Sequence, residues 1–280
     1  MEKFKAYKPK NEILKKYIDS FYFHQADNSI ESRKIVFFPN TKNALTIYKN
    51  TKQEISNLKP LHMKISPSNE NNYVFLYGGI QQNYVVSEIN PPFDKIGVIF
   101  QPLGMNHFID KTCLGKILTK NYHFPIMEKK FINSIDSIYA VDNLEKRMEK
   151  LENFFLNQIS TDFDDDILKK AITIIENNNR KLKISQLADE LNIEEKSLLR
   201  KFKNHLNCTP KHYSKVYQFR KTLSSYLDSK ENKNLTDLAL NNLYYDQSDF
   251  IKNFKVLTGI KPSYFFKQIN NLGNNIYWFK

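Results

Sequence analysis

The stretch Ile184-Ser185-Gln186-Leu187-Ala188-Asp189-Glu190-Leu191, Glu194-Glu195-Lys196-Ser197-Leu198-Leu199-Arg200-Lys201-Phe202-Lys203, Asn207-Cys208-Thr209-Pro210 recurs further along the chain. The second copy reads Leu235-Thr236-Asp237-Leu238-Ala239-Leu240-Asn241-Asn242, Asp246-Gln247-Ser248-Asp249-Phe250-Ile251-Lys252-Asn253-Phe254-Lys255, Thr258-Gly259-Ile260-Lys261-Pro262. Phe202-Lys203 and Phe254-Lys255 are offset by 52, as are Leu198 and Phe250, and Pro210 and Pro262. Leu187-Ala188 and Leu238-Ala239 are offset by 51, so the second copy adds one residue in the turn. A short helix, a break, a second helix and a proline-led third, written twice, predict two helix–turn–helix units.

The chemistry of each unit follows from its spacing. Leu187, Ala188 and Leu191 put one apolar stripe on the first helix, and small Ala188 lets the next helix cross closely. Leu198 and Phe202, at i and i+4, anchor the second helix to that stripe. Lys196, Leu199, Arg200 and Lys203 are left on other faces. In the second unit Phe250 and Phe254 are the anchors, Asp246 is a good N-cap, and Gln247, Ser248, Asp249, Lys252 and Lys255 stay available. A helix so presented fits a major groove about 12 Å wide. A longer helix, about His212 to Leu227, joins the units with Tyr213, Val216, Phe219, Leu223, Tyr226 and Leu227 on its buried side. Such a spacer can hold two recognition helices about 34 Å apart, one turn of DNA.

Upstream, Asp164-Asp165-Asp166 suits a helix N-terminus, and Ile167, Leu168, Ala171, Ile172 and Ile175 continue as one apolar face. Residues 1–110 read differently. Ser20–His24, Ile35–Phe38, Ala44–Tyr48, Tyr73–Tyr77, Tyr84–Val86 and Ile96–Phe100 are short runs rich in β-branched and aromatic residues. Pro39-Asn40, Pro67-Ser68-Asn69, Gly78-Gly79 and Pro91-Pro92 separate them, so a barrel or sandwich is expected, preceded by a short helix around Glu12–Ile18. The mouth of a barrel can hold a small ligand. Tyr22, Tyr48 and Tyr77 are candidates to line it, although aromatics at such spacing also serve as core.

His24, His62, His107 and His123 are scattered, with no metal-ligand clustering, and no catalytic or cofactor-binding motif is present. Neither a metal nor a cofactor is expected. From Asn143 to Ile159, Leu144, Met148, Leu151, Phe155 and Ile159 share one helical face. That face either packs on its own barrel or forms a dimer seam through Leu144, Met148, Leu151 and Phe155.

The 280 residues suggest about two domains. Lys plus Arg exceed Asp plus Glu by 42 to 30, a net charge of +12. Residues 1–165 carry a net +3 and residues 166–280 a net +9, so the smaller part holds most of the excess. This asymmetry favours a basic binding module beside a near-neutral companion. Cys113 and Cys208 lie 95 positions apart, which excludes a disulfide scaffold and suits reduced thiols in a cytoplasmic protein. No secretory signal and no apolar run of membrane-spanning length is visible, so no membrane partner is expected.

Residues 165–268 resemble the DNA-binding domain of AraC-type (AraC/XylS) transcription regulators. The resemblance rests on the two spaced units and on Leu198-x-Arg200-x-Phe202-Lys203. It rests also on Tyr244-Tyr245-Asp246-Gln247-Ser248-Asp249-Phe250-x-x-x-Phe254-Lys255-x-x-Thr258-Gly259-x-x-Pro262. Gly97-Val98-Ile99-Phe100-Gln101-Pro102 is similar to a stretch of the barrel-type companion domains of such regulators. The resemblance implies an α+β chain of two domains. Residues 1–160 would be a β-barrel, cupin-like sensing and dimerisation domain with flanking helices, the last over 143–159. Residues 165–268 would be an all-α double helix–turn–helix domain with a linking helix, and 269–280 a tail.

The resemblance further implies a non-enzymatic regulator, by family habit an activator, that places two recognition helices in successive major grooves. Base-reading positions fall on Lys196, Leu199 and Arg200, then on Gln247, Ser248 and Lys252. Lys203 and Lys255 would approach phosphate. Implied partners are double-stranded promoter DNA, RNA polymerase, a small-molecule effector and a second copy of the chain. Three positions depart from the family pattern: Leu243 stands for the usual turn glycine, Gln218 for an arginine on the linking helix, and Glu194 for a serine N-cap. Two other readings are a barrel that only dimerises, and a barrel hydrolase or isomerase with a DNA-binding tail. The second of these would need clustered catalytic groups.

Overall fold

The computed structural model describes residues 1–56, 60–109, 113–117, 122–160, 162–178, 182–227, 235–242, 244–273 and 276–279. The chain opens with β1 (Glu2–Tyr7), α1 (Glu12–Lys15), β2 (Ile18–Ala26), β3 (Arg33–Phe37) and β4 (Asn43–Lys49). There follow β5 (Thr51–Ser56), β6 (Leu61–Pro67), β7 (Tyr73–Gly78), β8 (Val85–Ile89), β9 (Phe93–Phe100) and a 3-10 turn at Gly104–Phe108.

The strands form two sheets. One has the order β1-β2-β9-β4-β7 and is antiparallel throughout; the other runs β3-β8-β6-β5, with β6 and β8 parallel. β2 and β9 are buried along nearly their whole length because both faces of the first sheet are covered. Phe21, Phe23, Leu45, Ile47, Ile96 and Val98 point to its outer side and join one core with the helices there. Ala26, Tyr48, Leu76 and Phe93 point inward and meet Ile35, Ile65 and Ile89 of the second sheet.

The outer side of the first sheet is closed by α2 (Leu114–Ile117), α3 (Pro125–Phe131), α4 (Ile135–Tyr139) and α5 (Leu144–Gln158). α5 is the helix expected over 143–159, and its Asn143 N-cap accepts from the amides of Glu145 and Lys146. Its apolar face does not form a seam. Met148, Leu151 and Phe155 are buried in the chain's own core and Leu144 packs against it. The polar groups of α5 are equally committed. Buried Arg147 bonds both carboxylate oxygens of Asp94 at 2.9 Å, and Glu152 accepts from the amides of Lys10 and Asn11. The dimer reading of these four residues is therefore replaced by intramolecular packing.

The helical part comprises α6 (Asp166–Asn177), α7 (Ile184–Glu190), α8 (Glu195–Leu206), α9 (Pro210–Leu227), α10 (Leu235–Asn241), α11 (Gln247–Thr258) and α12 (Pro262–Gln268). α6 starts where the acids predict, with the Asp165 carboxylate accepting from the amide of Leu168. Last come β10 (Ile269–Gly273) and β11 (Ile276–Phe279), an antiparallel pair where the sequence reading expected only a tail.

The core of the helical part does not stop at its own residues: Phe38, Ile80 and Leu103 from the β part belong to it. Arg220 on α9 donates to the carbonyls of Phe38 and Pro39, both at 2.7 Å. His212 Nε2 lies 2.8 Å from the Gln81 carbonyl oxygen. Gly259, at φ 77°, ends α11 in the left-handed conformation, and the ring of Tyr84 occupies the space that a side chain would need there.

Candidate nucleic-acid interface

Each repeat unit folds because a short helix offers an apolar stripe that the next helix covers. Leu187 and Ala188 of α7 meet Leu198, Phe202 and Leu206 of α8, all of them buried. Leu238 and Ala239 of α10 meet Phe250 and Phe254 of α11 in the same core. Phe254 is the hub of the second unit, with ring centroids 5.0–5.5 Å from those of Phe219, Phe250, Phe265 and Phe266.

The opposite faces are exposed. Lys196, Arg200 and Lys203 stand at i, i+4 and i+7 on α8, one stripe of a helix. Ser248, Lys252 and Lys255 stand at the same spacing on α11, each 52 positions on from its counterpart. Gln247 is exposed beside them. Leu199 is half-buried, so it differs from the other base-reading candidates in how much surface it presents.

The start of each helix differs. The Asp246 carboxylate caps α11 by accepting from the amide of Asp249 at 2.7 Å. At α8 the Glu194 position is extended but its side chain makes no capping bond. Half-buried Asp249 is engaged locally: its carboxylate accepts from the Asn253 amide and from the backbone N–H of Tyr245. Gln218, in place of the family's arginine, donates to the Asn242 carbonyl at 2.9 Å and so ties α9 to the end of α10. Leu243 lies outside the described residues.

A second basic surface lies outside the repeat pattern. Lys183, Lys211, Lys215 and Lys221 line a cleft between α7, α9 and α11, with Asp249 and Asn253 on its far wall. Lys211 and Lys215 are four apart on α9 and both exposed, off the apolar spacing that marks the buried side of that helix.

The β part holds a separate cavity of about 140 Å³ between its two sheets. Tyr22, Tyr48 and Tyr77 all line it, together with Phe37, Met63 and, from α9, Arg220. Burial pushes the phenols of Tyr22, Tyr48 and Tyr77 up from their ordinary values. Beneath the tyrosines, buried Lys95 has its ammonium 5.4 Å from the Tyr22 ring and 5.6 Å from the Tyr48 ring, and burial brings it down to about 8. Next to it His24 is held down to about 4 by burial and by the Lys95 charge, although its Nε2 lies 2.8 Å from the Glu2 carboxylate. Among the described residues no group of three or more His, Cys, Asp or Glu could hold a metal, and no helix is long and apolar enough to cross a membrane.

Comparison with known proteins bears on the helical part. Residues 187–268 match the family model described as a helix-turn-helix domain. No curated protein matches the chain. Among solved structures, ToxT from Vibrio cholerae is 11% identical, covering 95% of this chain and 98% of its own, with a TM-score of 0.47. The C-terminal domain of AraT, a response regulator from Geobacillus stearothermophilus, is 20% identical over 40% of this chain and 93% of its own, with a TM-score of 0.35. A probable AraC family transcriptional regulator from Rhodopseudomonas palustris is 18% identical over 37% of this chain and 96% of its own, with a TM-score of 0.33. Two repeated units, two anchored helices with matching exposed stripes, and the family match over the same span identify residues 187–268 as a helix-turn-helix domain.

Proposed function

We propose that this chain is a transcription regulator that reads promoter DNA with α8 and α11 in successive major grooves. The carrying observation is the duplicated exposed stripe: Lys196, Arg200 and Lys203 on one helix, Ser248, Lys252 and Lys255 on the other, each backed by buried anchors. Arg200 and Lys252 suit guanine O6 and N7, Gln247 suits adenine, and Lys203 and Lys255 approach phosphate. In this reading residues 165–268 bind DNA and residues 1–160 sense a ligand. The output is activation, through RNA polymerase. A homodimer on two half-sites belongs to the same reading, with the buried stripe of α5 excluded as its seam.

The inter-sheet cavity is the effector site of this reading. Its volume suits a compact, largely apolar molecule, since a cavity of about 150 Å³ takes up benzene. Arg220 makes α9 part of its wall, so occupancy and the position of the linking helix are coupled.

Fluorescence anisotropy on promoter duplexes tests the DNA reading. Binding weakens steeply with salt. Arg200→Ala or Lys252→Ala costs roughly 1–3 kcal/mol of specific binding. Absence of any salt-sensitive binding defeats the proposal. A thermal-shift screen of compact apolar compounds on the full chain tests the cavity.

A further inference from the structure

The end of the first recognition helix is not bounded by its own domain alone. Leu114 is buried in the core of the β part, which fixes α2 in place. The next residue, Gly115, faces the backbone of α8 so closely that a Cβ there would stand 2.5 Å from the Lys203 carbonyl oxygen. Asn106 reinforces the contact: its amide donates to the His205 carbonyl at 3.0 Å, and its Oδ1 lies 3.3 Å from His205 Nδ1. The backbone approach that Gly115 permits sets Lys116 beside Lys203. Both lysines are exposed, and both line one cleft with Gln82, Asn204 and Thr209. Among the described residues no aspartate or glutamate lines it.

Lys203 ends the stripe that begins at Lys196 and Arg200. Docking of α2 therefore extends that stripe by one cation from outside the helical domain. Two ammonium groups in one cleft repel each other, and a polyanion relieves that repulsion. Of the anions a regulator meets, duplex DNA laid along α8 is the one whose backbone would pass this cleft. Gly115 of α2 meets α8 at Lys203 and Asn204, beyond Arg200, and Lys196 and Arg200 are exposed.

We propose that Lys116 is a DNA-phosphate contact, so that the β part supplies a residue to the protein–DNA interface. This rests on the reading of α8 as a DNA-reading helix. Phosphate contacts add affinity and register without base preference, so Lys116 strengthens binding at every sequence that α8 accepts.

The test uses the full chain and a labelled duplex selected in vitro for tightest binding by the wild type. Lys116→Gln weakens binding by about threefold to tenfold at moderate salt, and lowers the slope of log affinity against log salt by about 1, the value for one lost phosphate contact. Lys129→Gln, which removes an equally exposed lysine from α3, leaves the slope unchanged. Gly115→Val forces α2 away from α8 and reproduces the loss seen with Lys116→Gln, while the double variant loses no more. An unchanged slope for Lys116→Gln overturns the proposal. So does tighter binding by Gly115→Val, which would make α2 an obstruction to DNA. A wild type without salt-sensitive binding would instead bring down the DNA-binding reading on which this one stands.

Discussion

His24 shows how one buried residue sets a response to acid. It is 2% exposed, packed edge-on against Phe93 and faced by Lys95, Glu2 and Arg33. Its folded pKa is about 4, below the ordinary 6.5, because burial and the Lys95 charge disfavour the imidazolium. Between those two values the unfolded chain binds the proton and the folded chain does not, so this residue removes stability as pH falls from about 6.5 to about 4. His107, His205 and His212 are shifted the same way by burial and add to the trend. His24→Gln should therefore lose less Tm than the wild type between pH 7 and pH 4.5, measured by circular dichroism. Parallel losses would show that His24 does not set the slope.

The two helix starts permit a comparison within one molecule. Asp246 caps α11 through its carboxylate, while Glu194 precedes α8 without a side-chain cap. Asp246→Ala should cost about 1 kcal/mol in urea unfolding and Glu194→Ala much less; equal losses would remove the distinction. The helices were legible at this scale because buried anchors repeat at 3.6-residue spacing, and each repeat copy checks the other. The strands were less so. β5, Thr51–Ser56, pairs among the described residues only with β6, at the sheet's edge, and carries a polar sequence with no apolar run to announce it. β1, Glu2–Tyr7, is likewise an edge strand and alternates charged with apolar residues. The fate of the apolar face of α5 was undecidable from spacing, since a seam and a core need the same pattern. Buried Arg147 and Glu152, bonded to β9 and to the start of α1, are what the spacing could not reveal.

For the whole molecule, the junction between the two parts governs whether they act as one. The repeat does not point to it, because the contacts run from the end of α8, α9, the end of α11 and α12 to α2 and to carbonyls and rings on loops of the β part. Phe38 and Phe265 pack with ring centroids 4.9 Å apart, and the helical core takes in Ile80 and Leu103 as well. An apolar junction of this kind, with Arg220 bonded to two backbone carbonyls, makes the parts unfold together. Arg220→Gln cannot reproduce both bonds, and hydrogen bonds to a charged group are worth about 1.5–3 kcal/mol. Calorimetry should give one cooperative transition for the wild type. Arg220→Gln should show a broadened or split transition as the helical and β parts separate. Arg220→Lys, which keeps a charge that can reach one carbonyl, should fall between them. Because Arg220 also walls the cavity, a compound that raises the wild-type Tm should raise that of Arg220→Gln less. A single sharp transition in Arg220→Gln, with the ligand shift intact, would mean that the apolar contacts alone join the two parts and that Arg220 carries no signal between them.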